Sequence, residues 1–220
     1  MKFRTVFDII GPVMIGPSSS HTAGAARIGR VARTLFGKQP DWAVISFYGS
    51  FAKTYKGHGT DRAVVGGILD FDTFDERIIQ SLEIAKQHNL GITINEEEAI
   101  PNHPNTAKII LGNDKEKLEL VGISIGGGKI EIIELNGFQL RLSGNHPALL
   151  VVHDDRYGVI ANVSNVLAGL HINIGHMEVS RKDKGQEALM VIEVDQNLNE
   201  DILTKIGQLE HIKKVSKIHD

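Results

Sequence analysis

The run Gly16-Pro17-Ser18-Ser19-Ser20-His21-Thr22-Ala23-Gly24 sets three hydroxyls, an imidazole and a fourth hydroxyl side by side between glycines. Such side chains bury nothing. They offer donors, acceptors and a titrating base to a small anion at a helix N-terminus. The same residues also suit an N-cap, with Ser and Thr satisfying orphan N–H groups ahead of an apolar-periodic segment. A second cluster, Lys56-Gly57-His58-Gly59-Thr60-Asp61-Arg62, places a histidine between glycines, so backbone can approach a ligand closely. Thr60 or Asp61 then opens a helix, and a turn plus cap is the plain alternative. A third, Pro101-Asn102-His103-Pro104-Asn105-Thr106, uses Pro104 to fix a loop from which His103 and Asn105 project, although Asn and Pro are ordinary turn formers. In Ser124-Ile125-Gly126-Gly127-Gly128, the three glycines permit successive exposed N–H groups, a nest for a carboxylate, or else a bulge or strand break. A strand follows, so the dinucleotide fingerprint does not apply. The clusters together make a binding surface with no strong electrophile. A catalytic reading needs a metal supplied from elsewhere.

These side chains need elements to hold them. Helix-period spacing runs through Ala26, Ile28, Val31, Ala32, Leu35 and Phe36 and stops at Gly37. Arg27, Arg30 and Arg33 fall away from that stripe, the pattern of a solvated face. Trp42 to Tyr48 reads as a strand. A helix runs through Val64, Val65, Ile68 and Leu69, and an amphipathic helix spans Asp75 through His88, stopped near Asn89 and Gly91. From Gly91 the period changes to two, through Ile92, Ile94, Ile109, Leu111, Leu118, Leu120 and Ile123. Lys129 to Leu135 and Phe138 to Leu142 form a hairpin turning at Asn136-Gly137. The fold class is α+β, with a largely antiparallel sheet.

The seam Ser143-Gly144-Asn145-His146-Pro147 separates two domains, 1–145 and 148–220. Past it, Ala148 to His153 is a strand, Gly158 to Gly169 a helix, Ile172 to Arg181 and Glu187 to Asp195 strands, Glu200 to Leu209 a helix and Lys213 to Ile218 a strand. The order is βαββαβ.

Composition sets the outer bounds. A net charge of −3 gives no general pull toward nucleic acid or an acidic membrane. No apolar run reaches the roughly 18 residues of a spanning helix. Residues 1–8 lack an apolar leader core because Asp8 interrupts it, so a cytoplasmic protein is expected. There is no cysteine, hence no disulfide, no thiol nucleophile and no thiolate-bound cluster on this chain alone. The ten histidines form no HxH or HxxxH pair, so no self-contained metal site is expected.

The set GPSSSHT, YGSFAKTYKGHGTD, HPN and SIGGG, in that order over most of residues 1–145, resembles the β chain of the two-subunit iron–sulfur L-serine dehydratases. The resemblance implies a partner α chain whose cysteines hold a 4Fe–4S cluster. It also implies an N-terminal fold shared with the intervening domain of some phosphoglycerate dehydrogenases. This chain has SSSHTAGA where many relatives have SSSHTVGP, a change beside the polar core. Residues 148–220 resemble an ACT domain, through the βαββαβ order and His153-Asp154-Asp155-Arg156-Tyr157-Gly158-Val159-Ile160 at the first strand-to-helix turn. In amino-acid-binding relatives that turn and a later Asn hold a ligand across a dimer interface. His153, Asp155 and Asn173 are the matching positions, with Asp155 where serine-binding relatives often have Asn. Simple dimerisation is the alternative.

On that resemblance the expected activity is loss of water from L-serine to give pyruvate and ammonia, active only with the α chain. His21 is expected as the base, with His58 second. Ser18, Ser19, Ser20, Thr22, Thr60, Asp61, His103, Asn105, Gly126, Gly127 and Gly128 are expected to bind substrate. A rival reading is a regulatory subunit that senses an amino acid and takes no part in chemistry. A metal-dependent hydrolase fits less well, because carboxylates at ligand spacing are missing.

Overall fold

The computed structural model describes residues 12–144 and 146–218. The N-terminal stretch 1–8, read above for a leader, and Asn145 of the seam lie outside them. After a π-helical turn, Ser19–Ala23, the chain forms α1 (Gly24–Phe36), β1 (Trp42–Tyr48), α2 (Gly49–His58) and α3 (Thr60–Ile68). A 3-10 turn, Glu76–Gln80, leads into α4 (Ser81–Gln87). Then come β2 (Gly91–Glu97), β3 (Asn105–Gly112), β4 (Lys117–Gly126), β5 (Lys129–Leu135) and β6 (Phe138–Leu142). The C-terminal part is β7 (Ala148–Asp154), α5 (Val159–Gly169), β8 (Ile174–Arg181), β9 (Glu187–Val194), α6 (Glu200–Gly207) and β10 (Ile212–Ile218). Between Ile133 and Glu134 the chain divides into two compact units. The fold is α+β, as expected.

In the first unit the strands lie in the order β2-β1-β3-β4-β5. β1 and β2 run parallel, in register Trp42 with Gly91; β1–β3 and β3–β4 are antiparallel. α1 packs on β3 and β4 and lies beside α3. Ile28, Ile45, Phe47, Phe51, Ile68, Ile109, Leu111 and Leu120 are fully buried and form this core. At roughly 1.5–3 kcal/mol for each large apolar side chain, such burial outweighs any single polar contact in the site. α1 and α3 approach so closely that a Cβ on Gly67 would meet the Ala26 carbonyl and one on Gly29 the Val64 carbonyl. Glycine at both positions lets the two helix backbones touch.

In the second unit the order β10-β7-β9-β8 is antiparallel throughout. Leu149, Val151, Val163, Leu167, Met190, Ile192 and Ile206 make a core between this sheet and the helices. The βαββαβ order is present. The Asn136-Gly137 turn is also present, with both residues left-handed.

Four expectations are corrected. Neither Thr60 nor Asp61 caps α3: left-handed Gly59 precedes it, and no side chain makes a cap bond. The reversal between α2 and α3 is so tight that only a residue with free access to positive φ fits. Gly49–His58 is a helix, where the sequence reading assigns no element to 49–55 and offers a turn plus cap from Lys56. The 75–88 helix is interrupted; its first part is 3-10, capped by the Asp75 carboxylate accepting from the Arg77 N–H. The arginines of α1 do not form a solvated face. Arg27 donates to the Gly128 carbonyl at 3.1 Å, Arg30 pairs with Asp70 and Asp72, and burial lowers the pKa of Arg33.

Candidate active site

The four polar motifs meet in the first unit. The π-helical turn Ser19–Ala23 carries the first of them. Ser18 begins it as an N-cap, its Oγ accepting the His21 N–H at 3.1 Å. The cap and the wide turn present the His21 ring to three hydroxyls. Nδ1 lies 3.0 Å from Ser20 Oγ and 3.4 Å from Ser18 Oγ; Nε2 lies 3.0 Å from Ser50 Oγ. Ser18 and Ser20 are 3.3 Å apart. Ser19 is half-buried, and its carbonyl accepts the Gly24 N–H.

His58 ends α2, with its ring edge-on to His21 and the centroids 4.9 Å apart. Thr22 is buried and donates its hydroxyl to the His58 carbonyl at 3.3 Å, which ties the first two motifs together. Phe51 packs against the other side of His21, centroids 5.2 Å apart. Burial first, and the neighbouring His58 second, hold the His21 pKa below the ordinary imidazole value of 6.5. The ring is therefore neutral at pH 7 and able to take a proton. Beside His58 is a cavity of about 220 Å³, lined by Ile15, Thr22, Gly59, Arg62 and Ile79 among others.

The third and fourth motifs close the circuit. The Pro104 carbonyl accepts the Ser50 N–H at 2.7 Å. Gly49, at φ +57°, sits so near Pro104 that a Cβ would strike its backbone. His103 Nδ1 accepts the Asn105 N–H at 3.2 Å, and Thr106 donates to the His103 carbonyl at 2.6 Å. Asn105 donates to the Ser124 carbonyl at 3.3 Å. Ser124, on β4, is fully buried against the start of α1, where any side chain on Gly24 would displace its hydroxyl. Gly126, Gly127 and Gly128, all left-handed, make the turn from β4 to β5.

Two expected binders stand apart from this circuit. Asp61 lies in the first turn of α3, its carboxylate accepting the Arg62 N–H at 2.8 Å, with no hydrogen bond to either histidine. Thr60 is fully buried, its hydroxyl without a partner among the described residues, as are Ser124 Oγ and His58 Nδ1. The sequence reading did not single out Ser50 or Phe51. Their one signal was Gly49-Ser50 directly after a predicted strand, a position where chain reversal exposes a side chain.

In the second unit, His153 is buried, with Nδ1 2.7 Å from the Asp154 carbonyl. Asp155 accepts from the Gly185 N–H at 2.9 Å and from Arg181 at 3.0 Å, and those two contacts hold its pKa below the usual carboxylate range. Asn173 donates instead to Asp195, at 2.6 Å. Each of the three thus has a partner of its own, although His153 Nε2 is buried with none among the described residues.

Among the described residues, no grouping of three or more His, Asp and Glu side chains suits a metal ion, and no helix is long and apolar enough to cross a membrane. The family model "Serine dehydratase beta chain" matches residues 5–134 and the model "ACT domain" residues 148–211. The chain is 67% identical to the probable L-serine dehydratase β chain of Bacillus subtilis (strain 168), over all of both chains. It is 38% identical to the L-serine dehydratase β chain of Peptoniphilus asaccharolyticus, over 96% of each. A D-3-phosphoglycerate dehydrogenase of Methanocaldococcus jannaschii is 30% identical over 62% of this chain and 26% of its own length.

Proposed function

The chain belongs to the serine dehydratase β-chain family and carries an ACT domain, and from that premise we propose that it builds part of a shared site that eliminates water from L-serine. The products are pyruvate and ammonia. The observation that carries this reading is the neutral His21 imidazole, hydrogen-bonded through both nitrogens, at the point where four polar motifs converge. A purely regulatory subunit has no use for a positioned base in its non-ACT unit.

The residues of this chain do not fit an iron–sulfur cluster. There is no cysteine, and the site offers hydroxyls and imidazoles rather than thiolates. We therefore assign a 4Fe–4S cluster to the cysteine-bearing α chain, where such a group supplies a Lewis acid for the departing β-hydroxyl.

This chain's part is proton transfer and orientation. His21 takes the α-proton of serine; burial first, and His58 second, disfavour a charge on its ring in the resting state. Ser18, Ser19, Ser20 and Thr22 orient the amino and carboxylate groups. Asn105, His103 and the turn Gly126-Gly127-Gly128 border the carboxylate, and Asp61 the ammonium, while the fully buried Thr60 hydroxyl is given no contact with substrate. Aminoacrylate leaves and hydrolyses in water. In the second unit we propose self-association, with His153, Asp155 and Asn173 as the positions an amino-acid effector would meet. The functional domains are taken as 1–145 and 148–220.

The test is reconstitution of the purified chain with its cysteine-bearing partner. Turnover is expected only from the mixture, and His21→Ala in that mixture should lower kcat about 10²–10⁴-fold, the usual reach of general-base catalysis. Normal turnover by His21→Ala would remove the base assignment, and full activity of the partner alone would return the regulatory reading.

A further inference from the structure

We infer that Ser50 is a positioning residue for His21: its hydroxyl donates to Nε2 and so selects the tautomer protonated on Nδ1. This deepens the reading of His21 as base and names a residue outside the four motifs' polar cores.

A neutral imidazole has one donor and one acceptor nitrogen. Both nitrogens of His21 face hydroxyls at 3.0 Å, so one serine must accept and the other donate. The surroundings decide which. On the Nδ1 side, Ser18 Oγ already accepts the His21 N–H and lies 3.3 Å from Ser20 Oγ. Ser20 therefore has an acceptor for its own proton and a free lone pair for an Nδ1–H. On the Nε2 side, Ser50 Oγ has no partner other than the ring among the described residues. Its proton therefore points at Nε2. The chain of bonds is self-consistent: Ser50 to Nε2, Nδ1 to Ser20, Ser20 to Ser18. Reversing it would leave the Ser50 proton with no acceptor on the protein among the described residues, only solvent at a half-buried position.

Ser50 is itself fixed from outside the ring. Its N–H is taken by the Pro104 carbonyl at 2.7 Å, and Gly49 is held in the left-handed region against that same residue. Its carbonyl accepts the Thr54 hydroxyl at 2.7 Å, within α2. The His103-Pro104-Asn105 loop thus sets the direction of a hydroxyl that sets the direction of the basic nitrogen. The groups facing the ring are Ser18, Ser20, Ser50, His58 and Phe51; no carboxylate is among them. In this arrangement Ser20, accepting from Nδ1–H, stands where other histidine bases have a carboxylate, and Ser50 marks the opposite, basic nitrogen.

The experiment is nitrogen NMR of the full chain labelled with ¹⁵N-histidine, for the native sequence, Ser50→Ala and Ser50→Thr, with His21→Ala to assign the signal. The native chain should show a pyridine-type Nε2 and a pyrrole-type Nδ1. Ser50→Ala should mix the tautomers and raise the titration midpoint, because the neutral ring loses its donor, and Ser50→Thr should restore both. In the reconstituted enzyme Ser50→Ala should lower kcat about tenfold or more, leave KM within twofold and move the acid limb of the rate profile upward. An unchanged tautomer and midpoint in Ser50→Ala overturns the inference even where His21→Ala is inactive. An active His21→Ala overturns the base reading and leaves the tautomer result standing.

Discussion

At the scale of single residues, the proposed base His21 is held toward its neutral form with no carboxylate hydrogen-bonded to its ring among the described residues. The ring packs against Phe51 and beside His58, so charging it costs both desolvation and repulsion. The rate should therefore rise with pH along a limb whose midpoint lies below 6.5, the ordinary imidazole value, and measuring kcat/KM from about pH 5 to 8 in the reconstituted enzyme checks this. His58→Ala should move that midpoint up, toward the ordinary value, because it removes the like-charge neighbour. A limb that stays in place in His58→Ala leaves burial as its sole cause. The same shift has a consequence for folding. The folded ring binds protons less readily than the unfolded one, so its contribution to stability is intact above pH 6.5 and is lost as pH falls through the lower folded value. Urea midpoints of His21→Ala and the native chain should therefore converge or cross on acidification, with the variant gaining relative to the native chain.

At the scale of elements, the site depends on how closely two helices meet. α1 leaves the turn that holds His21, and α3 leaves the glycine after His58. The two touch through Gly29 and Gly67, where an added methyl group would run into the carbonyls of Val64 and Ala26. Gly67→Ala should cost about 1–3 kcal/mol in chemical denaturation, the range for overpacking, and Gly37→Ala, at a position where nothing lies within 4 Å, should show only the milder penalty of its left-handed φ. If the contact also sets the spacing of the two histidines, Gly67→Ala will lower kcat beyond what its lost stability explains. Much of this level was legible in the sequence. The apolar stripe of α1, the strand Trp42–Tyr48, the Asn136-Gly137 hairpin and all of βαββαβ follow periodicity and turn chemistry, which are local signals. What escaped was decided by tertiary contact. α2 has a weak apolar period and two glycines near its end, and it holds because Phe51 and Tyr55 are buried under the sheet. Ser50 lies inside the YGSFAKTYKGHGTD run but has no mark of its own there beyond following a predicted strand; the Pro104 carbonyl, some 54 residues on in the chain, makes it part of the site. The four motifs were visible one at a time, whereas the bonds that join them, Thr22 to His58 and Asn105 to Ser124, require the fold.

At the scale of the whole molecule, the proposed function makes the chain one half of a division of labour, and its lack of cysteine agrees with that. Every residue proposed to touch substrate lies between Ser18 and Gly128, in the first unit, and none of them is a soft ligand. Thiolates are what hold iron–sulfur clusters, and a chain without cysteine cannot supply them, whatever it contributes to the reaction. Anaerobic treatment of the isolated chain with iron and sulfide should accordingly leave no cluster absorbance after desalting, while the same treatment of the cysteine-bearing partner should. Adding this chain to the loaded partner should then raise turnover from background to its full value without changing the iron bound per partner chain. The second measurement separates two roles that activity alone confuses. A chain that only stabilises the partner's cluster would raise retained iron together with rate, and His21→Ala would behave like the native sequence in both. A chain that supplies the proton acceptor raises rate at constant iron, and His21→Ala loses the rate while iron content stays the same. That second pattern follows from the proposed role of His21, and, among the described residues, no group of three or more metal-ligating side chains forms that would hold iron here.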